Sequence, residues 1–227
     1  MPPRRRSRDT GLVKLRKPAA LCGVAGPVLF TVAWVVSSLR QTGHPAAGVQ
    51  LSGLAAEDAT DPQIMMAGFV VLGVCSVVFG AALGRVIVPR PGPRLVMVAG
   101  AAAVAAGVFR RDHLLLAGPG FAGESWHNQV HDVVSGVAYG AMLAAPLTLG
   151  RGFRNDPRWA ALSRPVQALA VASAMSLAIF ASRVAEPWNG TVQRAAVTLA
   201  LAAEILVAAR LLTWPAAGPR AGSGARQ

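Results

Sequence analysis

The sequence predicts an all-α integral membrane protein, built as a bundle of six transmembrane helices with both termini in the cytoplasm. Of its 227 residues, 53% are hydrophobic and 14% are charged, whereas a soluble domain is about a quarter charged. The apolar residues fall into six long blocks, and a spanning helix needs about 20 such residues. Basic residues are concentrated in alternate connections between the blocks, as the positive-inside rule describes for a multi-pass chain.

The six blocks differ in length and in what flanks them. The first follows a basic segment, and its apolar stretch is about twice as long as the core of a signal peptide, so we expect a retained helix. The third is short, but Arg94 and Arg110 can extend their charged groups from its ends toward the interfaces. The expected helices cover residues 19–39, 64–84, 95–110, 130–149, 166–182 and 192–213.

We expect one transmembrane domain, residues 19–214, between two polar ends. Residues 1–18 form a basic cytoplasmic tail, and residues 215–227 have a composition that predicts disorder. Cys22 and Cys75 lie in separate apolar blocks at different expected depths. We therefore expect free thiols that pack as small hydrophobic side chains.

The distribution of basic residues sets the expected orientation. Residues 1–18, 85–94, 150–165 and the segment from Arg210 carry 17 Lys and Arg, against five on the other side, which places both termini in the cytoplasm. The net charge of +12 follows this topology, so it indicates membrane lipids as partners and excludes nucleic acid. Arg far outnumbers Lys, and Ala and Gly are abundant, as in GC-rich bacterial genomes. We therefore expect a multi-pass protein of the bacterial plasma membrane.

Glycine pairs at helical spacing predict close packing between helices. They occur at Gly80 and Gly84 in the second helix and at Gly136 and Gly140 in the fourth. Small residues let helix backbones approach where lipid supplies no hydrophobic driving force. We expect these faces to hold a compact bundle, and they would also suit a homo-oligomer.

Side chains suited to catalysis or metal binding are expected to meet at the outer ends of the third and fourth helices. Asp112 follows the third helix, and the run ESWHNQVHD opens the fourth, where Ser125 can cap the helix. His127 and His131 then lie one turn apart on one face, with Asp132 directly after them. A short hairpin would bring Asp112 over the two imidazole rings.

Three interpretations of this cluster stay open. In the first, His127, His131 and Asp112 bind a metal ion, expected to be Zn²⁺, and leave one position for water. Asp132 would then orient His131. In the second, a carboxyl group near the apolar boundary exchanges protons with an adjacent histidine without a metal. In the third, Asp112 pairs with His131 or Arg111 and clasps the two helices together.

Glu204 lies in the middle of the sixth helix, where an ionisable group is costly and usually functional. Two interpretations stay open: the carboxyl group is protonated, or it pairs with an inward-facing polar group such as Ser173 or Ser176.

Glu186 precedes the sixth helix at the outer face. We expect it to form a surface ion pair with Arg183 and Arg194 and to line the rim of the outer site.

Three segments resemble a bacterial family of six-helix membrane proteins catalogued as domain of unknown function 998. They are GVFRRD (Gly107–Asp112), WHNQVHD (Trp126–Asp132) and GTVQR (Gly190–Arg194). The resemblance implies the six-helix fold and an Asp…His-x-x-x-His-Asp site, without naming a reaction. The chain is also distantly similar to the transmembrane hydrolases that include alkaline ceramidases and progestin/adiponectin receptors. That similarity implies histidines and an aspartate around zinc, which cleave lipid amides.

The expected function is that of a membrane enzyme with an extracytoplasmic Asp/His site, acting on a lipid or another hydrophobic substrate. If the enzyme is a hydrolase, a metal-bound water attacks an ester or amide. One alternative is a metal-independent cyclase or isomerase of a prenyl-type chain, in which Asp112 or Glu186 donates the proton. The other is a non-enzymatic small transporter or accessory membrane subunit.

Overall fold

The fold consists of six long α-helices connected by short segments. A computed structural model describes residues 6–88, 91–115 and 125–213, and these residues contain no β-strand. The expected tail 215–227 and Glu124 lie outside the described residues. The helices are α1 (Arg6–Arg40), α2 (Pro62–Leu83), α3 (Pro91–Val108), α4 (Trp126–Phe153), α5 (Ala160–Ser182) and α6 (Asn189–Leu212), with a 3₁₀ turn at Gly53–Ala55.

All six helices are long and apolar enough to cross a membrane, with α1 contributing the part from Lys17 to Arg40. The predicted fold class is therefore confirmed. Large apolar side chains such as Val133, Met175 and Ile179 are exposed on the surface of the bundle, as contact with lipid requires. In a membrane, lipid chains cover these side chains, as a second layer of helices would in a soluble protein.

All six helices begin before their expected apolar blocks, and α4 and α5 show the local signals responsible. Helix α4 begins at Trp126 because the Ser125 side chain accepts a hydrogen bond from the backbone N–H of Asn128, which caps the helix in polar sequence. Helix α5 begins at Ala160, in a turn where the backbone N–H groups of Trp159 and Ala160 bond to the carbonyl of Asp156. Hydropathy detects neither the Ser125 cap nor the turn at Asp156, because both lie in polar segments.

The six helices form a closed ring. Each packs mainly against its neighbours in the chain, and α6 closes the ring by packing against α1. We call the end of the bundle that carries residues 41–61, 109–115 and 183–188 the loop end. This ring leaves a central space between the helices, in which the cavity described below lies.

One of the two expected glycine contacts is confirmed and the other is wrong. A Cβ atom on Gly80 would lie 2.8 Å from Met97 Cγ, so α2 and α3 approach closely there. Around Gly136 and Gly140, a Cβ atom would meet no atom within 4 Å. Among the described residues, no other helix therefore packs closely against these two glycines, because glycine spacing alone does not determine which helix face meets a partner.

The α1–α2 connection folds back over the loop end. Leu51 and Leu54 are buried, and the backbone N–H of Leu51 donates to Gln193 Oε1 at 2.7 Å. The carbonyl of Ala46 accepts from Arg194 Nη1 at 2.8 Å. These bonds to the first turns of α6 hold the connection as part of the bundle.

Candidate functional site

The Asp112 carboxylate joins the end of α3 to the start of α4. Its Oδ1 accepts a hydrogen bond from Ser125 Oγ at 2.6 Å, and its Oδ2 accepts one from the backbone N–H of Ser125 at 2.7 Å. The backbone N–H of Asp112 in turn donates to Asn128 Oδ1 at 3.2 Å. This reciprocal set satisfies donors at the N-terminus of α4, which would otherwise be unpaired.

The same bonds change the titration of Asp112. Hydrogen bonds from the Ser125 hydroxyl and from its backbone N–H hold the pKa of the Asp112 carboxyl below its ordinary value of 3.8, because they stabilise the ionised form. Asp112 is therefore ionised at neutral pH. A carboxylate in this state accepts hydrogen bonds and does not serve as a proton donor.

His131 makes the second connection between α3 and α4. The side chain is 1% exposed, and Nδ1 lies 2.6 Å from the carbonyl oxygen of Phe109 and 3.1 Å from that of Ala106. Since carbonyl oxygens only accept, Nδ1 carries a proton and donates it to them. Nε2 is also buried and has no hydrogen-bond partner among the described residues.

The remaining residues of the expected cluster lie apart from His131. His127 is exposed, and its ring centroid lies 3.8 Å from that of Trp126. Asp132 is exposed and accepts from Asn128 Nδ2 at 3.2 Å. The structure thus places one of the two histidines at the surface and the other in the interior.

This arrangement does not fit a zinc site. Both Asp112 oxygens accept from Ser125, and His127 is exposed whereas His131 is buried. Among the residues that the structure describes, no group of three or more His, Cys, Asp or Glu is placed to hold a metal ion. The geometry matches the clasp interpretation more closely, although the predicted partner of Asp112 was His131 or Arg111 rather than Ser125.

Glu186 forms only one of its two expected ion pairs. Its Oε1 lies 3.7 Å from Arg183 Nε, and it lines an open cleft of about 340 Å³ at the loop end. Arg194 does not pair with it. The Arg194 guanidinium donates to the Ala46 carbonyl and to Ser38 Oγ because it points toward α1.

A cavity of about 80 Å³ lies inside the ring of helices. Its lining is largely apolar, and a second cavity of about 40 Å³ adjoins it toward the other end of the bundle. Glu204 and Met142 line both cavities. Lining side chains of the larger cavity include Phe30, Phe69, Leu72, Ser76, Tyr139 and Leu201.

Glu204 has a partner that the sequence analysis missed. Ser76 Oγ on α2 lies 3.0 Å from Glu204 Oε1 and 3.3 Å from Oε2. The expected partners bond elsewhere: Ser173 donates to the Ala196 carbonyl and Ser176 to the Ala172 carbonyl. The available signal was that Ser76 is the one hydroxyl residue of α2, in an otherwise apolar helix.

Comparison with known proteins identifies the family. Residues 24–210 match the model of the family described as protein of unknown function (DUF998). The chain belongs to this family. No curated protein and no solved structure matches the chain.

The region shared with the DUF998 family covers both candidate sites. It begins within α1 and ends at Arg210 in α6, so it contains the Glu204 cavity as well as the Asp112–Ser125 clasp. The DUF998 match supports the resemblance noted from the sequence. It assigns no reaction to either site, so the function must be argued from their geometry.

Proposed function

We propose that this DUF998 protein binds a hydrophobic small molecule of the membrane in the cavity around Glu204. The observation that supports this proposal is an ionisable side chain in a largely apolar cavity inside the ring of helices. Ionisable residues within transmembrane segments are rare and usually mark functional sites. Apolar cavities with a few convergent polar groups are the common form of a small-molecule site.

The depth of Glu204 suits a ligand dissolved in the bilayer. Glu204 lies 15 residues after Asn189, the first residue of α6, and eight residues before Leu212, the last. At 1.5 Å per residue these separations are roughly 22 Å and 12 Å. The carboxyl group therefore lies within a hydrocarbon core about 30 Å thick.

The size of the cavity limits the ligand to a slender group. A dry cavity of about 150 Å³ takes up benzene, and the larger cavity here has about half that volume. Met142 lines both this cavity and the smaller one, and methionine side chains rearrange easily. A shift of Met142 would join the two spaces into one that fits a short hydrocarbon chain.

A second candidate function is acid–base chemistry on the bound molecule. It is favoured by the Glu204 carboxyl group, which faces both cavities and whose hydrogen-bond partner is a neutral hydroxyl. A general acid must lie within hydrogen-bond reach of the atom it protonates, and Glu204 meets this condition for any ligand in the cavity. Asp112 and Glu186, the acids expected from the sequence, lie at the loop end and are engaged by Ser125 and Arg183.

The expected Asp/His site is then a structural clasp at the extracytoplasmic end of the bundle. The uneven distribution of basic residues supports an orientation with both termini in the cytoplasm of a bacterial cell. Zinc-dependent hydrolysis by His127, His131 and Asp112, and the distant similarity to transmembrane hydrolases, remain hypotheses that the observed arrangement does not favour.

The proposal is tested by filling the cavity. Ala138 lines the larger cavity, whereas its neighbour Val137 is exposed to lipid, so Ala138→Phe and Val137→Phe form a matched pair. We expect native mass spectrometry to detect a co-purified hydrophobic molecule on the wild type and on Val137→Phe, and to find it lost from Ala138→Phe. An unliganded wild type, or the same bound mass on all three proteins, would contradict the proposal.

A further inference from the structure

One buried cation at the loop end has almost no partners. Arg111 is 5% exposed, and its side chain makes one long hydrogen bond, from Nη1 to Gln50 Oε1 at 3.5 Å. Its Nε is buried without a partner among the described residues. Removing a guanidinium from water is costly unless an anion compensates for it.

The other deeply buried guanidinium provides a contrast. Arg194 is 8% exposed, but it donates to the Ala46 carbonyl at 2.8 Å and to Ser38 Oγ at 3.0 Å, and it lies over the ring of Trp34. Burial of Arg194 is therefore explained by contacts within the chain. Contacts among the described residues do not explain the burial of Arg111 in the same way.

A second unpaired group lies close to Arg111. Nε2 of His131 is buried and has no hydrogen-bond partner among the residues described, while Nδ1 is engaged by the α3 carbonyls. The Phe109 carbonyl that accepts from His131 belongs to the residue two positions before Arg111. A guanidinium nitrogen and a ring nitrogen, both buried and without a hydrogen-bond partner among the described residues, thus lie where the end of α3 meets α4.

This corner adjoins the loop end of the cavity. The carbonyl that accepts from His131 belongs to Ala106, which lines the cavity. The partner of Arg111, Gln50, precedes Leu51, which also lines it. Glu204 lies at the opposite end of the same space.

Among the residues that the structure describes, no carboxylate forms an ion pair with Arg111. The described carboxylates at the loop end contact other groups: Glu57 contacts Arg110, Asp58 the backbone N–H of Leu114, Asp61 Arg40, Asp112 Ser125 and Glu186 Arg183.

We propose that Arg111 binds the anionic oxygen group of a single-chain amphiphile whose hydrocarbon chain occupies the Glu204 cavity. The inference rests on the proposed binding function and specifies its ligand class. A guanidinium matches a carboxylate or phosphate geometrically through its fork of N–H donors. The unpaired Nε2 of His131 accepts a hydrogen bond from a hydroxyl or protonated oxygen of the same headgroup.

Two probes with the same chain test the anchor by native mass spectrometry of the detergent-purified protein. Octanoate carries a carboxylate, and octan-1-ol carries a neutral hydroxyl on an equally long chain. We expect the wild type to bind octanoate about tenfold or more tightly than octan-1-ol, as one charge-assisted contact allows. Arg111→Gln should remove this preference and leave the affinity for octan-1-ol within about twofold.

Arg110→Gln is the matched control, because Arg110 is the neighbouring residue, is exposed and pairs with Glu57. This variant should retain the preference for octanoate. A preference that survives Arg111→Gln, or that Arg110→Gln removes equally, would overturn the proposal. If Arg111→Gln lowers the melting temperature of the ligand-free protein by more than Arg110→Gln does, the side chain has a structural role and the proposal also fails.

Two further measurements ask whether a free anion binds as well as an amphiphile does, and whether binding of the probes requires the cavity. Inorganic phosphate that displaces octanoate shows that the free anion suffices, whereas phosphate that leaves octanoate bound shows that the chain is required. Arg111 binds the anionic group in both cases. If Ala138→Phe blocks binding of both probes while Arg111→Gln changes neither affinity, ligand binding in the Glu204 cavity is supported and the role of Arg111 is contradicted. If Ala138→Phe changes neither affinity, ligand binding in the cavity is itself contradicted.

Discussion

The Ser76 hydroxyl on α2 bonds to the Glu204 carboxyl group on α6 across the interior of the ring. Its Oγ lies 3.0 Å from Oε1, although α2 and α6 do not pack as neighbours. Helices α1 and α3 flank α2, and α5 and α1 flank α6. The bond therefore joins two helices through the space that contains the cavity, and a ligand entering that space would meet both polar groups.

Removal of the Ser76 hydroxyl should destabilise the bundle modestly. We expect Ser76→Ala to lower the free energy of unfolding by about 1 kcal/mol, because Glu204 loses its hydrogen-bond partner in an apolar setting. Reversible unfolding in mixed SDS micelles measures this change. Ser176→Ala is the control, since that hydroxyl bonds to the Ala172 carbonyl of its own helix. Equal losses in the two variants would show that the Ser76–Glu204 bond contributes nothing specific.

The clasp at Asp112 should make stability depend on acidic pH. The bonds from Ser125 hold the folded-state pKa of Asp112 below its ordinary value of 3.8. Its stabilisation is therefore complete above that value and is lost as the pH falls through the lower folded-state pKa. We expect Asp112→Asn to lower the free energy of unfolding by about 1–2 kcal/mol at neutral pH and by progressively less at acidic pH.

A pH series of unfolding measurements checks this expectation. Asp132→Asn is the comparison, because Asp132 accepts from Asn128 Nδ2 and an asparagine at 132 can accept the same bond. That variant should remain close to the wild type at all pH values. If the difference between Asp112→Asn and the wild type did not shrink below pH ~4, the clasp would not depend on the ionised carboxylate.

The two histidines should behave differently when replaced. His131 bonds to two carbonyls at the end of α3, so His131→Ala leaves a space and unpaired acceptors, which cost about 1–3 kcal/mol. His127 is exposed and stacks on Trp126, so His127→Ala should change stability by less than about 0.5 kcal/mol. Unfolding in SDS micelles distinguishes the two. Similar losses would mean that both rings share one buried site.

Zinc content separates the clasp interpretation from the metal interpretation. Because the side chains of His127 and His131 lie in different environments, we expect the double variant His127→Ala, His131→Ala to carry the same zinc as the wild type. Elemental analysis of both detergent-purified proteins measures this directly. About one zinc per wild-type chain that the double variant loses would restore the metal interpretation.

The membrane spans could be predicted because hydropathy and span length follow from composition alone. The hairpin between α3 and α4 was also foreseeable, since Ser125 begins a helix with a recognisable cap and Asp112 ends the preceding segment. The identity of the Asp112 partner was not, because a capping hydroxyl and an imidazole four or more residues apart are both within reach of a short hairpin. Only the packing of the hairpin shows which of these two side chains contacts Asp112.

The cavity and its polar pair could not be foreseen from the sequence. Glu204 was recognisable as an intramembrane carboxyl group, but its partner depends on which helices face the centre of the ring. The serines suggested as partners of Glu204 lie on α5, the preceding helix in the chain. Ser173 and Ser176 instead bond to backbone carbonyls. The interior contact with Ser76 arises from the closure of α6 against α1, which no local pattern encodes.

Two glycines lie in opposite surroundings, Gly100 in the contact between α3 and α2 and Gly136 on the outer face of α4. A Cβ atom on Gly100 of α3 would lie 2.6 Å from the Gly73 carbonyl and 2.9 Å from the Val77 nitrogen. Since these are backbone atoms, α2 and α3 would have to separate. On the lipid-facing side of α4, a Cβ atom on Gly136 would meet nothing within 4 Å.

We therefore expect Gly100→Ala to lower the melting temperature and the free energy of unfolding, the latter by about 2 kcal/mol or more, the scale of an overpacked core. Gly136→Ala should leave stability unchanged or raise it by up to about 1 kcal/mol, because alanine has the higher helix propensity. A loss of stability in Gly136→Ala that grows with protein concentration would instead indicate that this face packs against a second copy of the chain.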